Sequence, residues 1–343
     1  MNISHNQTMN ITGICQPAYN ESMYFVSSMY GIVLVIGLPA NMLTLWLTFL
    51  QIRRENVLAV YLFSLSFSEL MYLGTLPLWI LYVNNGHNWN WGPIACKITG
   101  FIFFNNIYIS ILLLCCISLD RFLAVQYCLE CRGIRRQRIA MIVTFLLCLT
   151  VALIHSTVFI LKDGEQKDGE QNTCFETLPI PPMIAHFYIA RFIIGFLLPF
   201  LILIFTNCSI QKRIEISESF TPKQKLKVKH LSLAVITIFM ICFAPYHLVL
   251  LIRAIVYYLN PKKSCAFEEN IYTANSVLLC LVTVNSVADP FIYVIVSENV
   301  RKDICRGLRA WRRQLSVKSD NSTFPNIYSS REHPKENSSA HFP

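Results

Sequence analysis

The stretch "ILLLCCISLDRFLAVQY", Ile111 to Tyr127, decides how the rest of the chain is read. It is one apolar run with Asp120 and Arg121 side by side near its end. A charge at the centre of a bilayer costs at least ~2.5–3.5 kcal/mol on insertion scales. Two adjacent charges therefore belong at the edge of a membrane span, or serve a purpose. The surroundings favour a membrane. Of 343 residues, 54% are hydrophobic and 14% charged, against about 25% charged in soluble domains. The mean hydropathy is +0.46.

The apolar residues fall into seven blocks, which we place at Phe25–Leu50, Val57–Val83, Pro93–Val125, Ile139–Leu161, Met183–Ile210, Val228–Leu259 and Ile271–Val296. Each is long enough to cross a ~30 Å hydrocarbon core as a helix. There is no internal repeat, and no alternating pattern of the kind that membrane strands show. The polar N-terminus lacks the basic-then-apolar start of a cleavable signal peptide.

Basic residues orient the spans. Residues 1–52 hold no Lys or Arg. The first link holds Arg53 and Arg54, the third Arg132, Arg135, Arg136 and Arg138. The fifth holds Lys212, Arg213, Lys223, Lys225, Lys227 and Lys229. The segment after the last span begins Arg301, Lys302, Arg306 and Arg309. The opposite links hold only a few lysines, among them Lys162, Lys167, Lys262 and Lys263. The positive-inside rule puts the N-terminus outside and the C-terminus in the cytoplasm. The net charge of +9 is then mostly a collar against the anionic lipids of the inner leaflet, with no call for a nucleic-acid partner. Four glycosylation sequons, at Asn2, Asn6, Asn10 and Asn20, lie on the side this rule makes lumenal. Asp120 and Arg121 fall at the cytoplasmic end of the third span, where an anchoring role is the simplest reading.

Several short motifs carry a further message. "DRFLAVQY" (120–127), "GLPANMLTLW" (37–46) with Asn41, "WNWGPIACK" (89–97) with Cys96, "IGFLLPF" (194–200) with Pro199, "FMICFAPYH" (239–247) and "NSVADPFIYV" (285–294) stand in this order on seven spans. Together they resemble the rhodopsin-like (class A) G-protein-coupled receptors, from Phe25 to Trp311. The fold class implied is an all-α membrane protein: a seven-transmembrane helix bundle with a short amphipathic eighth helix and the N-terminus outside. Its parts would be a glycosylated N-terminus (1–24), the receptor domain (25–296), the juxtamembrane helix (297–311) and a disordered cytoplasmic tail (312–343). The protein would be a multi-pass receptor of the plasma membrane and not an enzyme.

The resemblance gives residues roles. It implies that Asp120 holds Arg121 at rest and that Arg121 meets a heterotrimeric G protein. Phe239, Phe243, Pro245, Asp289, Pro290 and Tyr293 would carry the rearrangement of spans five to seven. Asn41, Glu69, Ser110, Asn285 and Asp289 would line a buried polar cluster, which in the family often holds sodium. Here Glu69 stands where the family usually has Asp, and Asp289 where it has Asn. Two carboxylates that close do not both ionise easily. Phe243 replaces the usual Trp, Cys148 stands where the fourth-span Trp is expected, and Asn207 where a Tyr is common. Cys96 and Cys174 match the family's bridge from the third span to the second outer loop. Cys15 and Cys265 also fall outside, and an even count in an oxidising compartment favours their pairing. Cys305 in the juxtamembrane stretch is a candidate for palmitoylation. Ser316, Ser319, Ser322, Thr323, Ser329 and Ser330 are candidate sites for receptor kinases and arrestin recruitment.

Within the family, "NVLAVYLFSLSFSELMYLGTLPLW", "ISILLLCCISLDRF", "IARFIIGFLLPF" and "CFAPYHLVLLIRA" resemble the proton-sensing and lipid-responsive branch, and most of all the G2 accumulation receptors, linked to oxidised free fatty acids and lysophospholipids. Stronger acid sensors of the branch carry a third buried acid in the fourth span, where this chain has Val151.

The ligand pocket can also be read from chemistry. An acyl chain wants apolar walls and its carboxylate a cation in a dry cavity. Arg191, outside Pro199 on the fifth span, is the candidate counter-ion, unless Glu176 or Glu268 takes it. Arg253 lies near the rim of the sixth span, where snorkelling competes. His247 is either a ligand contact or a satisfied core residue. Phe103, Phe104, Tyr108, Tyr188, Phe243 and Tyr246 would supply wall. His87, His155 and His186, placed here at the outer surface, are candidates for titration near neutral pH. These readings give an acidic-lipid receptor, with proton sensing through Glu69 and Asp289 as the alternative. A transporter is the remote rival, but inverted repeats and midplane charge pairs are missing. No cofactor motif and no His/Cys/Asp metal spacing stands out.

Overall fold

The computed structural model describes Cys15, Pro17, Tyr19, residues 21–126, 136–159, 172–176, Leu178, residues 180–217, 221–261, 264–296 and Arg309, without the side chains at 158, 159, 224, 227, 231 and 292–296. The sequons at Asn2, Asn6, Asn10 and Asn20, the eighth helix apart from Arg309, Cys305, the Tyr293 side chain and the tail phosphosites lie outside the described residues.

Every described span is helical, as a bilayer demands of a backbone that must bond to itself. The helices are α1 (Met23–Ile52), α2 (Val57–Asn84), α3 (Gly92–Gln126), α4 (Gln137–His155), α5 (Pro182–Phe192), α6 (Leu198–Ile216), α7 (Pro222–Cys242), α8 (Ala244–Leu259), α9 (Ser264–Thr283) and α10 (Asn285–Val296). They make seven membrane-crossing rods, because α5 continues into α6, α7 into α8, and α9 into α10. The central rod is α3, packed on α2, α4 and α6, while α1 lies against α2, α9 and α10. The outer halves α5 and α8 pack together, and α8 packs on α9. Large apolar residues such as Val35, Trp46, Phe145, Leu153 and Phe205 point away from the bundle, as lipid-facing positions should.

The joins explain why three rods are written as pairs. Pro199 has no N–H for the turn before it, and residues 193–197 widen into a π-turn closed by the Leu198 amide on the Ile193 carbonyl. Pro245 interrupts the sixth rod after Phe243, yet the amide of Phe243 still reaches the Phe239 carbonyl (3.0 Å) and that of His247 the Phe243 carbonyl (3.2 Å). In the seventh rod the Val284 amide bonds the Leu281 carbonyl (3.1 Å), a tight turn ahead of Asp289 and Pro290. The breaks of the fifth and sixth rods sit at Pro199 and Pro245, whereas that of the seventh precedes Pro290, which lies inside α10.

Several span boundaries differ from the sequence reading. The fourth helix ends at His155, not Leu161, and passes into a 3₁₀ turn at Ser156–Phe159. The seventh rod starts at Ser264, not Ile271. Hydropathy misses its first turns because Glu268 and Glu269 are charged, but Glu268 is buried against another span. The fifth rod also runs on to Ile216, where basic residues lower the hydropathy without ending the helix.

Candidate functional site

The outer end of the bundle is closed by the segment around Cys174. Cys96 at the start of α3 is bridged to Cys174, with Cα atoms 5.7 Å apart, and Cys15 is bridged to Cys265, 5.4 Å apart. The Cys174 amide donates to the Tyr82 hydroxyl (3.1 Å), and the Trp89 amide to the Asn172 carbonyl (2.7 Å). These ties lower Phe175 and Glu176 into the bundle mouth. Glu176 accepts from the His87 Nδ1 (2.7 Å) and the Tyr272 hydroxyl (3.0 Å). Tyr19 roofs this group, with its ring 5.0 Å from His87 and 5.1 Å from Tyr272. Burial, and then the charge of Glu176, push the Tyr19 phenol up to about 12, so the roof is a neutral ring.

Below lies a cavity of about 130 Å³, walled among others by Phe104, Phe175, Phe187, Tyr188, Arg191 and Arg253. Its two cations are not equivalent. Arg253 is only 8% exposed and pairs through Nε with Glu268 (2.8 Å), itself 2% exposed. The sequence reading put Arg253 near the rim. The structure buries it and neutralises it, because α9 starts early enough to bring Glu268 beside α8. Arg191 has no carboxylate partner among the described residues. Its guanidinium lies 4.2 Å from the centre of the Phe104 ring, 4.8 Å from Phe187 and 5.7 Å from Tyr108. Its Nε is buried without a hydrogen-bond partner. The two acids weighed against it in the sequence, Glu176 and Glu268, are held by His87 and Arg253 instead.

His247 is fully buried, and both nitrogens are spent. Nδ1–H donates to the Phe243 carbonyl (2.8 Å), so Nε2 accepts from the Tyr108 hydroxyl (3.3 Å). It is a structural link rather than a cavity wall. Tyr108 lies beneath Arg191, stacked on His155 at 5.1 Å. Phe243 sits lower still, at the helix break and against Phe239 (5.4 Å). His87 and His155 are buried rather than outer-surface residues, and of the three only His186 is exposed. Phe175, Tyr272 and Asn275 line the cavity and were missed, as was Glu268 as the partner of Arg253. A signal existed for Phe175 alone, through its place beside a bridged cysteine.

Gly195 completes the geometry. A Cβ there would fall inside contact distance of the Tyr108 ring, which His155 and His247 hold on other sides. Gly195→Ala should displace Tyr108 and cost about 1–3 kcal/mol, as overpacking does. A lower melting temperature of purified receptor would register it, and an unchanged one would show that the ring is free to move.

Deeper in the bundle, Glu69 is completely buried. Ser110 donates to Oε1 (2.8 Å), Ser286 to Oε2, and Asn285 Nδ2 to Oε1 (3.5 Å) and to Asp289 Oδ2 (2.8 Å). Ser286, unforeseen in the sequence, is therefore part of the cluster. Asn41 joins it only through backbone, donating to the carbonyls of Gly37 (3.0 Å) and Ser286 (2.7 Å). The residues do not fit a sodium ion well. Both Glu69 oxygens are taken by donors, and Asn41 Oδ1, Asn285 Oδ1 and Asp289 Oδ1 are the cluster's unpartnered oxygens from these acids and amides. A hard cation wants about six.

At the cytoplasmic base Asp120 is buried and Arg121 half-buried at the end of α3. Just inside them Ser118 and Thr206 share a hydrogen bond (2.7 Å) and Asn207 donates to Ser118 (3.1 Å), tying α3 to α6.

Comparison with known proteins agrees with this architecture. Residues 40–293 match the family model described as "7 transmembrane receptor (rhodopsin family)". The chain is 47% identical over 326 residues to the "Probable G-protein coupled receptor 132" of Mus musculus, covering 91% of this chain and 84% of that one. It is 35% identical over 278 residues to the "G-protein coupled receptor 68" of Homo sapiens, covering 81% and 74%. It is 31% identical over 303 residues to the "G-protein coupled receptor 65" of Homo sapiens, covering 86% and 89%.

Proposed function

The chain belongs to the rhodopsin family of seven-transmembrane receptors, and on that premise we propose that its stimulus is an acidic amphiphile anchored by Arg191. As a member of that family it is a multi-pass receptor of the plasma membrane that signals through G proteins, and not an enzyme. The observation that carries the ligand reading is the state of Arg191: a cation inside the membrane, boxed by aromatic rings, while both neighbouring acids serve other partners. Such a charge asks for an anion from outside. The cavity walls are mostly aromatic and aliphatic, so the anion should bring an apolar chain. Fatty acids, their oxidised forms and acidic lysolipids have this chemistry.

Binding would act through what lies beneath. A carboxylate that draws Arg191 off Phe104 and Tyr108 disturbs Tyr108, whose hydroxyl bonds His247. His247 in turn holds the Phe243 carbonyl at the break ahead of Pro245. The sixth rod can swing there, with the fifth and seventh moving at Pro199 and Pro290, to open the base to the G protein. Receptor kinases and arrestin would act on the tail afterwards.

A charge-assisted hydrogen bond is worth about 1.5–3 kcal/mol. Arg191→Ala should therefore weaken an acidic lipid roughly ten- to a hundredfold in second-messenger assays. The methyl ester should be weaker than the acid on wild type and lose little more on the variant. Equal losses for acid and ester would make Arg191 structural only. The second reading, proton sensing, is favoured by one observation: Glu69 and Asp289 are both buried and bridged by Asn285.

A further inference from the structure

At the cytoplasmic side, one hydrogen bond ties the first rod to the fourth. Gln137 Nε2, at the start of α4, donates to the Ile52 carbonyl at the end of α1 (2.8 Å), across a separation of 85 residues. The chain neighbours of this pair are basic. Arg53 and Arg54 follow Ile52, and Arg136 and Arg138 flank Gln137. All four are exposed. Consecutive Cα atoms are ~3.8 Å apart, so Arg53 and Arg136 each stand one step from the bonded residues. Glu55 is the only acid in residues 51–57 and 136–142. Among the described residues none of the four arginines pairs with a carboxylate.

This place is the inner-leaflet edge of the bundle. α2 lies between α1 and α4 and packs on both. Phe49 of α1 and Phe67 of α2 are exposed there, and the Phe49 ring is 6.5 Å from that of Phe63 on α2. The Arg53 guanidinium lies 4.8 Å from the centre of the Phe49 ring, one turn back along α1. Its charge therefore sits where headgroups meet acyl chains, against a ring that faces lipid. A diffuse basic collar needs none of this. Charges that only accompany an anionic leaflet can stand anywhere around the bundle, with no bond drawing two distant segments together.

We infer that Arg53, Arg54, Arg136 and Arg138 form one docking site for a polyphosphorylated lipid of the inner leaflet, assembled by the Gln137–Ile52 bond. A guanidinium fork grips phosphate oxygens two at a time. A lipid with a single phosphodiester fills one fork. An inositol ring with two further phosphates offers acceptors to forks from both rods at once. Its acyl chains would lie along Phe49 and Phe67. The site is at the opposite face of the membrane from Arg191 and does not depend on that reading.

The test counts lipid bound to purified full-length receptor by native mass spectrometry, at graded amounts of phosphatidylinositol bisphosphate or phosphatidylserine. Wild type is compared with Arg53→Gln/Arg136→Gln, with Gln137→Ala, and with Lys225→Gln/Lys229→Gln, which removes equal charge from α7. A basic residue near an anionic surface contributes about a factor of five, so Arg53→Gln/Arg136→Gln should weaken the first bisphosphate lipid roughly thirtyfold. Gln137→Ala keeps every charge and should weaken it severalfold, while the α7 pair should leave it unchanged. Phosphatidylserine should bind wild type roughly tenfold more weakly. Equal losses from the two double variants would leave only a diffuse collar and overturn the inference. So would binding that ignores Arg53→Gln/Arg136→Gln or Gln137→Ala, or equal binding of the two lipids. Soluble inositol trisphosphate that displaces the lipid at matching concentration would also overturn it, by making the site one for a free headgroup.

Discussion

Arg121→Ala should reduce nucleotide exchange on a partner G protein to background while leaving receptor at the cell surface. Arg121 lies in the last two turns of the central rod α3, beside the buried Asp120. The Ser118–Thr206–Asn207 group ties α3 to α6 just inside it through its own hydrogen bonds. The fold should therefore tolerate the change. The partner, however, would lose the cation that the opened base presents to it, and no nearby basic residue on α3 can replace it. Binding of a non-hydrolysable GTP analogue, normalised to surface receptor, measures the effect. Wild-type exchange by a well-expressed variant would return Arg121 to the role of membrane anchor.

The second large effect is expected from Cys96→Ser. Chain entropy ranks the two bridges the other way. Cys15–Cys265 closes a separation of 250 residues and Cys96–Cys174 one of 78. By loop length alone the longer closure is worth about 1 kcal/mol more. What Cys174 positions outweighs this. Its neighbours Phe175 and Glu176 form the wall against Gly100 and the contact with His87 and Tyr272. Losing that bridge should cost about 2–5 kcal/mol and remove ligand response along with most surface receptor. Cys15→Ser should leave a folded receptor with a looser roof, since Thr273 still donates to Glu21 (2.8 Å) at the N-terminal end. A Cys96→Ser receptor that signals normally would show that the loop holds its place by packing alone.

Much of this could be read from the chain, for a physical reason. A bilayer permits few backbone arrangements, so hydropathy and basic charge gave the seven rods and their direction before any contact was known. Arg191 stood out because an isolated charge in an apolar run is costly. What escaped the sequence were pairings between distant spans. Glu268 looked like a loop residue, and its burial against Arg253 depends on α9 starting at Ser264. His247 read as either a ligand contact or a satisfied core residue, and the partners that decide for the second, Tyr108 and the Phe243 carbonyl, lie beyond what the sequence encodes. The π-turn before Pro199 and the seating of Phe175 on Gly100 depend on which ring meets which glycine, a matter of packing that no periodicity encodes.

The most direct test of the account uses purified receptor in lipid nanodiscs with a heterotrimeric G protein, and varies acidic amphiphile and pH independently. At fixed neutral pH, nucleotide exchange should rise with the amphiphile, and Arg191→Ala should shift the response roughly ten- to a hundredfold to higher concentration. Exchange that follows acidification alone, is unchanged in Arg191→Ala and disappears in Glu69→Gln would contradict it and make the buried Glu69–Asp289 pair the sensor.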